Sequence, residues 1–204
     1  RDYKVTGVQT CALPISAADL TLDSLQMHIQ DPGNFTVEVY AIEGGTYVGN
    51  ETNAGAWTLV STGSGESNTT GTPSDVTLDT ALSLTSGTTY AMALVLDATH
   101  SHRYTNGDGT NQNYSDANVS ISLGAASNVP FTGTVFSPRV FNGTINYFVG
   151  TPPSTTVDFD CSNLGDNLIE VTAIDSAGNV STCISTVEVI DVTDPILVCQ
   201  DATV

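Results

Sequence analysis

The chain has 204 residues, of which 22 are acidic and 4 are basic, so its formal net charge is −18. Such an acidic excess repels nucleic acid and anionic membranes, and it favours solubility and the binding of divalent cations. No run of 18 apolar residues occurs, which excludes a transmembrane helix, and a hydrophobic content of 40% argues against disorder.

The first fifteen residues, RDYKVTGVQTCALPI, have a composition unlike the rest of the chain. They lack the long apolar run of a signal peptide. Instead, the segment resembles the in-frame translation of a short-read sequencing adapter, with the match running from Val5 to Ile15. That resemblance implies that 1–15 is an artefact rather than native sequence. We therefore exclude 1–15 from fold reasoning and expect it to pack poorly or to float free of the fold.

The next part of the chain, 17–149, is patterned for strands. Apolar and polar residues alternate with period two over 35–41, 90–96 and 119–123, and shorter strands are expected at 20–29, 56–61, 76–78, 82–84 and 140–149. Turn-forming clusters separate these segments, notably at 61–75 and 105–116. No segment keeps a 3.6-residue apolar period. About eight strands at this spacing predict an all-β domain, a jelly-roll-like β-sandwich.

Three stretches of this domain also carry a resemblance. They are FTVEVYAIEGGTYVGNETNAGAWTLVSTGSG, YTNGDGTNQNYSDANVSISLG and PFTGTVFSPRVFNGTINY. Together they resemble an uncharacterised β-sandwich module of secreted, multidomain bacterial proteins. The resemblance implies an extracellular or cell-surface location, and it implies no particular chemistry.

A proline-containing linker, GTPPSTTV at 150–157, precedes a second and smaller unit. Strands are expected at 157–161, 168–174 and 182–190. The sequence DNLIEVTAIDSAGNVSTCISTVEVIDVTDP resembles the second half of the hyalin repeat (HYR), an immunoglobulin-like module of secreted and surface proteins. The resemblance implies a partial HYR repeat over 158–192 and the start of a further repeat over 193–204.

Apart from Cys11, the cysteines are Cys161, Cys183 and Cys199. This odd number, without C-x-x-C or H-x-C spacing, favours an incomplete disulfide framework over a zinc site. The HYR resemblance implies that Cys161 and Cys183 each pair with a front-half cysteine that this chain lacks, and that Cys199 pairs beyond residue 204. A direct Cys161–Cys183 bond and two unpaired thiols both remain open, with the second ranked slightly higher.

The strongest local candidate for a binding site is the loop TNGDGTNQNYSDAN at 105–118. It crowds together oxygen ligands of the type that calcium prefers, with Asp108 and Asp116 as the candidate metal ligands. The spacing does not match an EF-hand, and loops of this composition are more often plain turns. Tyr104 and Tyr114 flank the loop, where exposed aromatic rings beside amides could bind a sugar; the alternative is that both rings pack on the rim of the sandwich. The candidate ligand-binding residues are Tyr104, Asn106, Asp108, Asn111, Tyr114 and Asp116.

No catalytic motif stands out. The candidate general bases are His28, expected in a strand, and His100 and His102, expected in a turn. We therefore expect a non-catalytic segment of a secreted, modular bacterial cell-surface protein, acting as a structural spacer and adhesive module. The alternative is a carbohydrate-binding accessory module of a secreted hydrolase. An extracellular glycan or protein is the expected partner, nucleic acid binding and membrane insertion are not expected, and calcium is the one candidate cofactor.

Overall fold

A computed structural model describes residues 3–6, 9–68, 72–150, 157–174 and 180–192. The chain divides into two compact units, 1–152 and 153–204. The boundary falls inside the linker expected at 150–157.

The first unit is built from strands. They are β1 Tyr3–Thr6, β2 Gln9–Ser16, β3 Leu20–His28, β4 Gly33–Glu43, β5 Thr58–Ser67, β6 Pro73–Leu84, β7 Tyr90–Leu96, β8 Ser101–Asn106, β9 Asn113–Ser115, β10 Val119–Ser127, β11 Val135–Phe136, β12 Arg139–Phe141 and β13 Gly143–Val149. One 3-10 turn, Ala54–Ala56, precedes β5. The described part of the chain contains no α-helix, which confirms the all-β prediction.

Most of these strands belong to one long, curled sheet in the order β11-β10-β2-β7-β4-β5-β6-β3-β13, with β9 added beside β10. A second sheet has the order β1-β8-β12. Every pairing between these strands is antiparallel. The result is consistent with a β-sandwich, in which curling allows the inward-facing side chains of distant strands to meet.

Alternation along the strands decides which side chains enter the core. In β4, Phe35, Val37 and Val39 are buried while the residues between them are exposed. Buried residues of β3 and β6, and one face of β7, complete the main core, whose largest members include Leu20, Leu25, Met27, Ile29, Phe35, Tyr90 and Met92. At about 25 cal/mol per Å² of buried apolar surface, this cluster is the main source of stability for the unit.

A second, smaller core covers the opposite face of β7. Ala91 and Ala93 are fully buried there beneath Trp57 and Phe131, whose ring centroids lie 5.6 Å apart. The Trp57 indole N–H donates to the carbonyl of Asn50 at 2.8 Å, which satisfies its polar edge. The strand β7 is therefore covered on both faces, as its nearly continuous apolar sequence requires.

The position of the N-terminal segment corrects our expectation. Strand β2 lies between β10 and β7, with Gln9–Ser16 paired to β10 and Gln9–Ala12 paired to β7. Strand β1 pairs with β8. The described parts of this segment, 3–6 and 9–15, therefore do not float free of the fold, because β7, β8 and β10 each present a backbone edge that an extended segment can satisfy.

The turn cluster expected at 61–75 is also largely strand, since β5 runs to Ser67 and β6 begins at Pro73. Two glycines of this cluster, Gly63 and Gly65, serve close strand packing instead. A Cβ on Gly63 would lie 2.8 Å from the Thr77 carbonyl oxygen, and one on Gly65 would lie 2.2 Å from that of Asp75. Glycine is needed here because neighbouring backbone approaches closely.

The second unit contains an antiparallel pair of strands, β14 Gly165–Ile174 and β15 Val180–Val189. The strand expected at 157–161 is absent, and a 3-10 turn occupies Cys161–Asn163. Asp160 caps that turn by accepting from the Ser162 N–H at 2.8 Å. The residues before this turn, 157–160, form no strand and have no strand partner in the described part of the unit.

Cys161 and Cys183 are both exposed and free, so no bond joins them. Cys199 and the segment 193–204 lie outside the described residues, as do 151–156 in the linker and 175–179 between β14 and β15.

Candidate functional site

The 105–118 loop is held together by its own polar side chains. The Asp108 carboxylate accepts from the Thr110 hydroxyl at 2.7 Å, the Thr110 N–H at 2.8 Å and the Asn111 N–H at 3.1 Å. These donors, led by the Thr110 hydroxyl, lower the pKa of Asp108. The Asn111 amide in turn bridges the Asp108 N–H and the Asn106 carbonyl. Three of the candidate ligand residues, Asn106, Asp108 and Asn111, therefore shape the loop.

Asp116 joins the end of this loop to β13. One carboxylate oxygen accepts from the N–H groups of Asn118 and Val119 at 2.8 and 2.9 Å, and the other accepts from the Tyr147 hydroxyl at 2.6 Å. The Tyr147 hydrogen bond is the main cause of a lowered Asp116 pKa, while partial burial raises the pKa of Tyr147. Asp116 thus orients the start of β10.

The two tyrosines expected to flank the loop as a pair have different environments. Tyr104 is buried in β8, only 6% exposed, and the Arg139 guanidinium lies 5.1 Å from its ring centroid. It is therefore a packing residue beneath a cation–π contact. Tyr114 lies on the short strand β9 with 53% of its surface exposed, and its hydroxyl donates to the Asn111 carbonyl at 3.1 Å. Of the pair, Tyr114 is the one that presents a ring to solvent.

A groove of about 490 Å³ opens beside Tyr114, a size within the usual range for small-molecule sites. We call it the Tyr114 groove. Its lining comes from β3, β8, β9, β10, β12 and β13, and comprises His28, Thr105, Asn111, Tyr114, Ile121, Leu123, Val140, Phe141, Asn142, Gly143 and Ile145. Asn111 and Tyr114 are the members that the sequence predicted. Tyr114 also borders a second depression, of about 330 Å³, which is lined by residues of β9 and β10 and by Ile15.

The polar groups of the Tyr114 groove centre on Asn142, between β12 and β13. Its side-chain oxygen accepts from the Thr105 hydroxyl at 2.9 Å, and its backbone carbonyl accepts from the His28 N–H at 3.1 Å. Within the described residues, neither the Asn142 side-chain NH₂ nor the His28 ring has a hydrogen-bond partner. Both groups can therefore serve a ligand.

Behind the groove lies His102, which we expected in a solvated turn. It is instead fully buried in β8, stacked on Phe141 at a centroid distance of 4.9 Å, with Nε2 3.1 Å from the Asn142 carbonyl oxygen. Burial is the main cause that lowers the His102 pKa to about 4, so the ring is neutral near pH 7 and Nε2–H donates. His102 thereby fixes two groove residues, Phe141 and Asn142.

His100 is likewise buried rather than in an exposed turn. Its Nδ1 lies 2.9 Å from the Asp97 carboxylate, and its ring packs against Phe35 at 5.9 Å. Burial tends to raise the pKa of Asp97, but hydrogen bonds led by the Thr36 N–H outweigh it and lower that pKa strongly. The Asp97–His100 pair closes the turn between β7 and β8 and lies outside the Tyr114 groove.

In the part of the chain that the structure describes, no three His, Cys, Asp or Glu side chains are grouped to hold a metal ion. The carboxylates of Asp108 and Asp116 are each directed at N–H and O–H donors of their own surroundings. Calcium binding by these two residues stays a prediction, and the geometry gives them a structural role.

No family model, curated protein or solved structure matches this chain. Among the described residues, no helix has the length and apolarity needed to cross a membrane. The fold and the site together define an all-β unit with a mixed aromatic and amide groove at its surface. The resemblances to the HYR repeat and to a secreted β-sandwich module stay predictions.

Proposed function

We propose that this chain is a non-catalytic segment of a secreted, modular cell-surface protein, acting as spacer and adhesive module, and that its first unit binds an extracellular carbohydrate. The observation that carries the proposal is the Tyr114 groove. It combines an exposed aromatic ring with an amide and an imidazole that have no partner within the described residues.

This combination suits a sugar. The C–H face of a pyranose ring packs against an aromatic face, and the hydroxyl groups around its edge need hydrogen-bond donors and acceptors at the same time. Tyr114 offers the face, while Asn142 and His28 offer the polar groups. The apolar floor, which includes Phe141 and Ile145, excludes water from the packed side of the ring.

The rest of the chain fits an extracellular binding segment. A net charge of −18 favours solubility on an exterior surface, and the division into two units is the arrangement expected of a modular protein. The HYR resemblance of the second unit would place such a segment among tandem repeats.

The test is a glycan array probed with the full chain, followed by titration of each hit. We expect Tyr114→Ala to weaken binding at least tenfold. Phe148→Ala is the matched control, because Phe148 is a partly exposed aromatic residue on β13 that does not line the groove. Absence of binding to every glycan, or equal losses in both variants, would refute the proposal.

The same groove would also serve an accessory module of a secreted hydrolase, which is the second candidate function. The two candidates differ in the form of the ligand. An accessory module binds the insoluble polysaccharide that its enzyme degrades, whereas an adhesive module binds glycans carried on a surface. A pull-down with insoluble polysaccharides beside the array separates them: retention by a polysaccharide without array hits favours the accessory module.

A further inference from the structure

The lining of the Tyr114 groove contains no permanently charged side chain. It includes no Asp, Glu, Lys or Arg, although 26 of the 204 residues of the chain are charged. A carboxylate or sulfate group of an acidic sugar loses its hydration water on binding, and a cation in the site compensates that loss most strongly. The groove provides no permanent cation for that purpose.

Arg139, which lies on β12 next to the lining residues Val140 and Phe141, does not supply one either. Arg139 lies against the rings of Tyr104 and Phe136, at 5.1 and 5.4 Å, and donates to the Pro138 carbonyl at 2.8 Å. These contacts hold the Arg139 guanidinium against the two aromatic rings, and Arg139 does not line the groove. The surrounding charge of −18 adds a general repulsion toward polyanions.

A calcium-bridged sugar site would need carboxylates at the groove. Asp108 and Asp116 are absent from the lining, and their oxygens accept hydrogen bonds that hold the 105–118 loop and Tyr147 in place. Among the lining residues, Asn142 keeps an unpaired NH₂, His28 keeps an unpaired ring within the described residues, and Tyr114 adds an exposed aromatic ring. These suit hydroxyl groups and C–H surfaces directly.

We infer that the Tyr114 groove selects an uncharged pyranose ring, packed on Tyr114 and hydrogen-bonded by Asn142 and His28, without a bridging metal ion. This inference rests on the proposed carbohydrate binding and adds its ligand class. It predicts a preference for neutral over acidic glycans, little dependence on salt, and no dependence on calcium.

The experiment is calorimetric titration of the full chain with matched pairs of oligosaccharides: glucose and glucuronic acid oligomers, galactose and galacturonic acid oligomers, and N-acetylglucosamine oligomers with and without sulfate. Each titration is made with EDTA and again with calcium. We expect the neutral member of the bound pair to bind at least tenfold more tightly, with equal affinity in both buffers. Equal or tighter binding of the acidic member, or loss of binding in EDTA, would overturn the inference and leave carbohydrate binding itself intact. Absence of binding by all pairs and by the array would overturn both.

Two substitutions sharpen the test. Asn142→Asp keeps an oxygen for the Thr105 hydroxyl but removes the NH₂ donor and adds a negative charge, so neutral binding should fall at least tenfold. His28→Arg places a cation in the groove and should shift the preference toward the acidic member of the pair. Phe148→Ala should leave the preference unchanged, and circular dichroism with thermal melting checks that each variant folds. If both groove variants fold, Asn142→Asp keeps its neutral binding and His28→Arg keeps the original preference, the inference is wrong.

Discussion

A proline in the middle of a central strand interrupts the hydrogen-bond ladder, so replacing it is expected to change the stability of the first unit. Pro14 lies in β2, opposite Ile121 of β10. On its other side, the pairing of β2 with β7 stops at Ala12 and resumes only at the bridge between Ile15 and Thr89. Proline has no N–H to donate at this point, so the gap in the ladder is expected.

The same position borders a small void in the core. Pro14 lines an apolar cavity of about 40 Å³ together with Leu22, Leu25, Met92, Leu94, Leu123, Phe141 and Ile145. Filling such a void is worth roughly 24 cal/mol per Å³, or about 1 kcal/mol. A restored ladder hydrogen bond adds about 0.5–1.5 kcal/mol. Losing the restriction that proline places on the unfolded chain costs about 0.4–1 kcal/mol.

We therefore expect Pro14→Ile to stabilise the first unit by about 1 kcal/mol, which raises Tm by about 2–4 °C for a unit of this size. Urea and thermal unfolding of the full chain, followed by circular dichroism, measure the change. Pro73→Ile is the matched control, because Pro73 is the exposed first residue of β6, where a missing donor is tolerated. An unchanged or lowered stability for Pro14→Ile, or an equal gain for Pro73→Ile, would refute the reasoning.

Four further predictions concern other parts of the first unit. Deleting 1–15 should destabilise the first unit by more than about 1 kcal/mol, because it uncovers the edges of β7 and β10; unchanged urea unfolding would show that β2 contributes nothing. Gly124→Ala should cost about 1–3 kcal/mol, because its Cβ would lie 1.5 Å from the Tyr47 hydroxyl oxygen, and adding Tyr47→Phe should recover part of that loss in the same assay. Burial lowers the pKa of His102 to about 4, below the value of 6.5 in the unfolded chain, so the unfolded chain takes up a proton first as the pH falls. The free energy of unfolding is therefore at its full value above pH 6.5, and it decreases by up to about 3 kcal/mol as the pH drops to 4. His102→Gln should flatten this part of a pH series of unfolding curves, and an equally steep profile in the variant would count against it. EDTA should leave Tm unchanged, since the carboxylates of the 105–118 loop are satisfied by protein donors, and a fall of more than about 3 °C would establish a structural cation.

Much of the fold was predictable wherever one face of a strand is buried and the other is solvated. The alternation at 35–41 located β4 to within two residues, because period two is the direct consequence of that geometry. The pattern at 90–96 located β7 as well, although both faces of that strand are covered. The strands that were missed have a different cause. β8 reads as SHRYTN, and the burial of His102 depends on Phe141, almost forty residues further along the chain. No local pattern records such a contact.

The candidate site was predictable for the same reason only in part. Asn111 and Tyr114 belong to one loop whose composition is visible in the sequence. His28 and Thr105 lie on different strands and Asn142 lies between β12 and β13. Only the pairing of β13 with β3 and of β12 with β8 brings the three residues together. A polar residue at a strand end carries no sign of which other strand end it will meet, so the groove is a property of topology rather than of a motif.

The N-terminal segment shows the opposite failure, in which composition was informative but not decisive. Its resemblance to an adapter implied no place in the fold, yet sheet pairing depends on backbone groups that every residue except proline supplies. Two neighbouring strands with unpaired edges can therefore order an extended segment whatever its origin. A sequence that suits the strand poorly then loses stability through imperfect side-chain packing and through a missing backbone donor. Both defects occur at Pro14, where the ladder to β7 is interrupted and a cavity adjoins the ring. That is why a single substitution there tests whether β2 is held by backbone pairing alone or also by a fitted core.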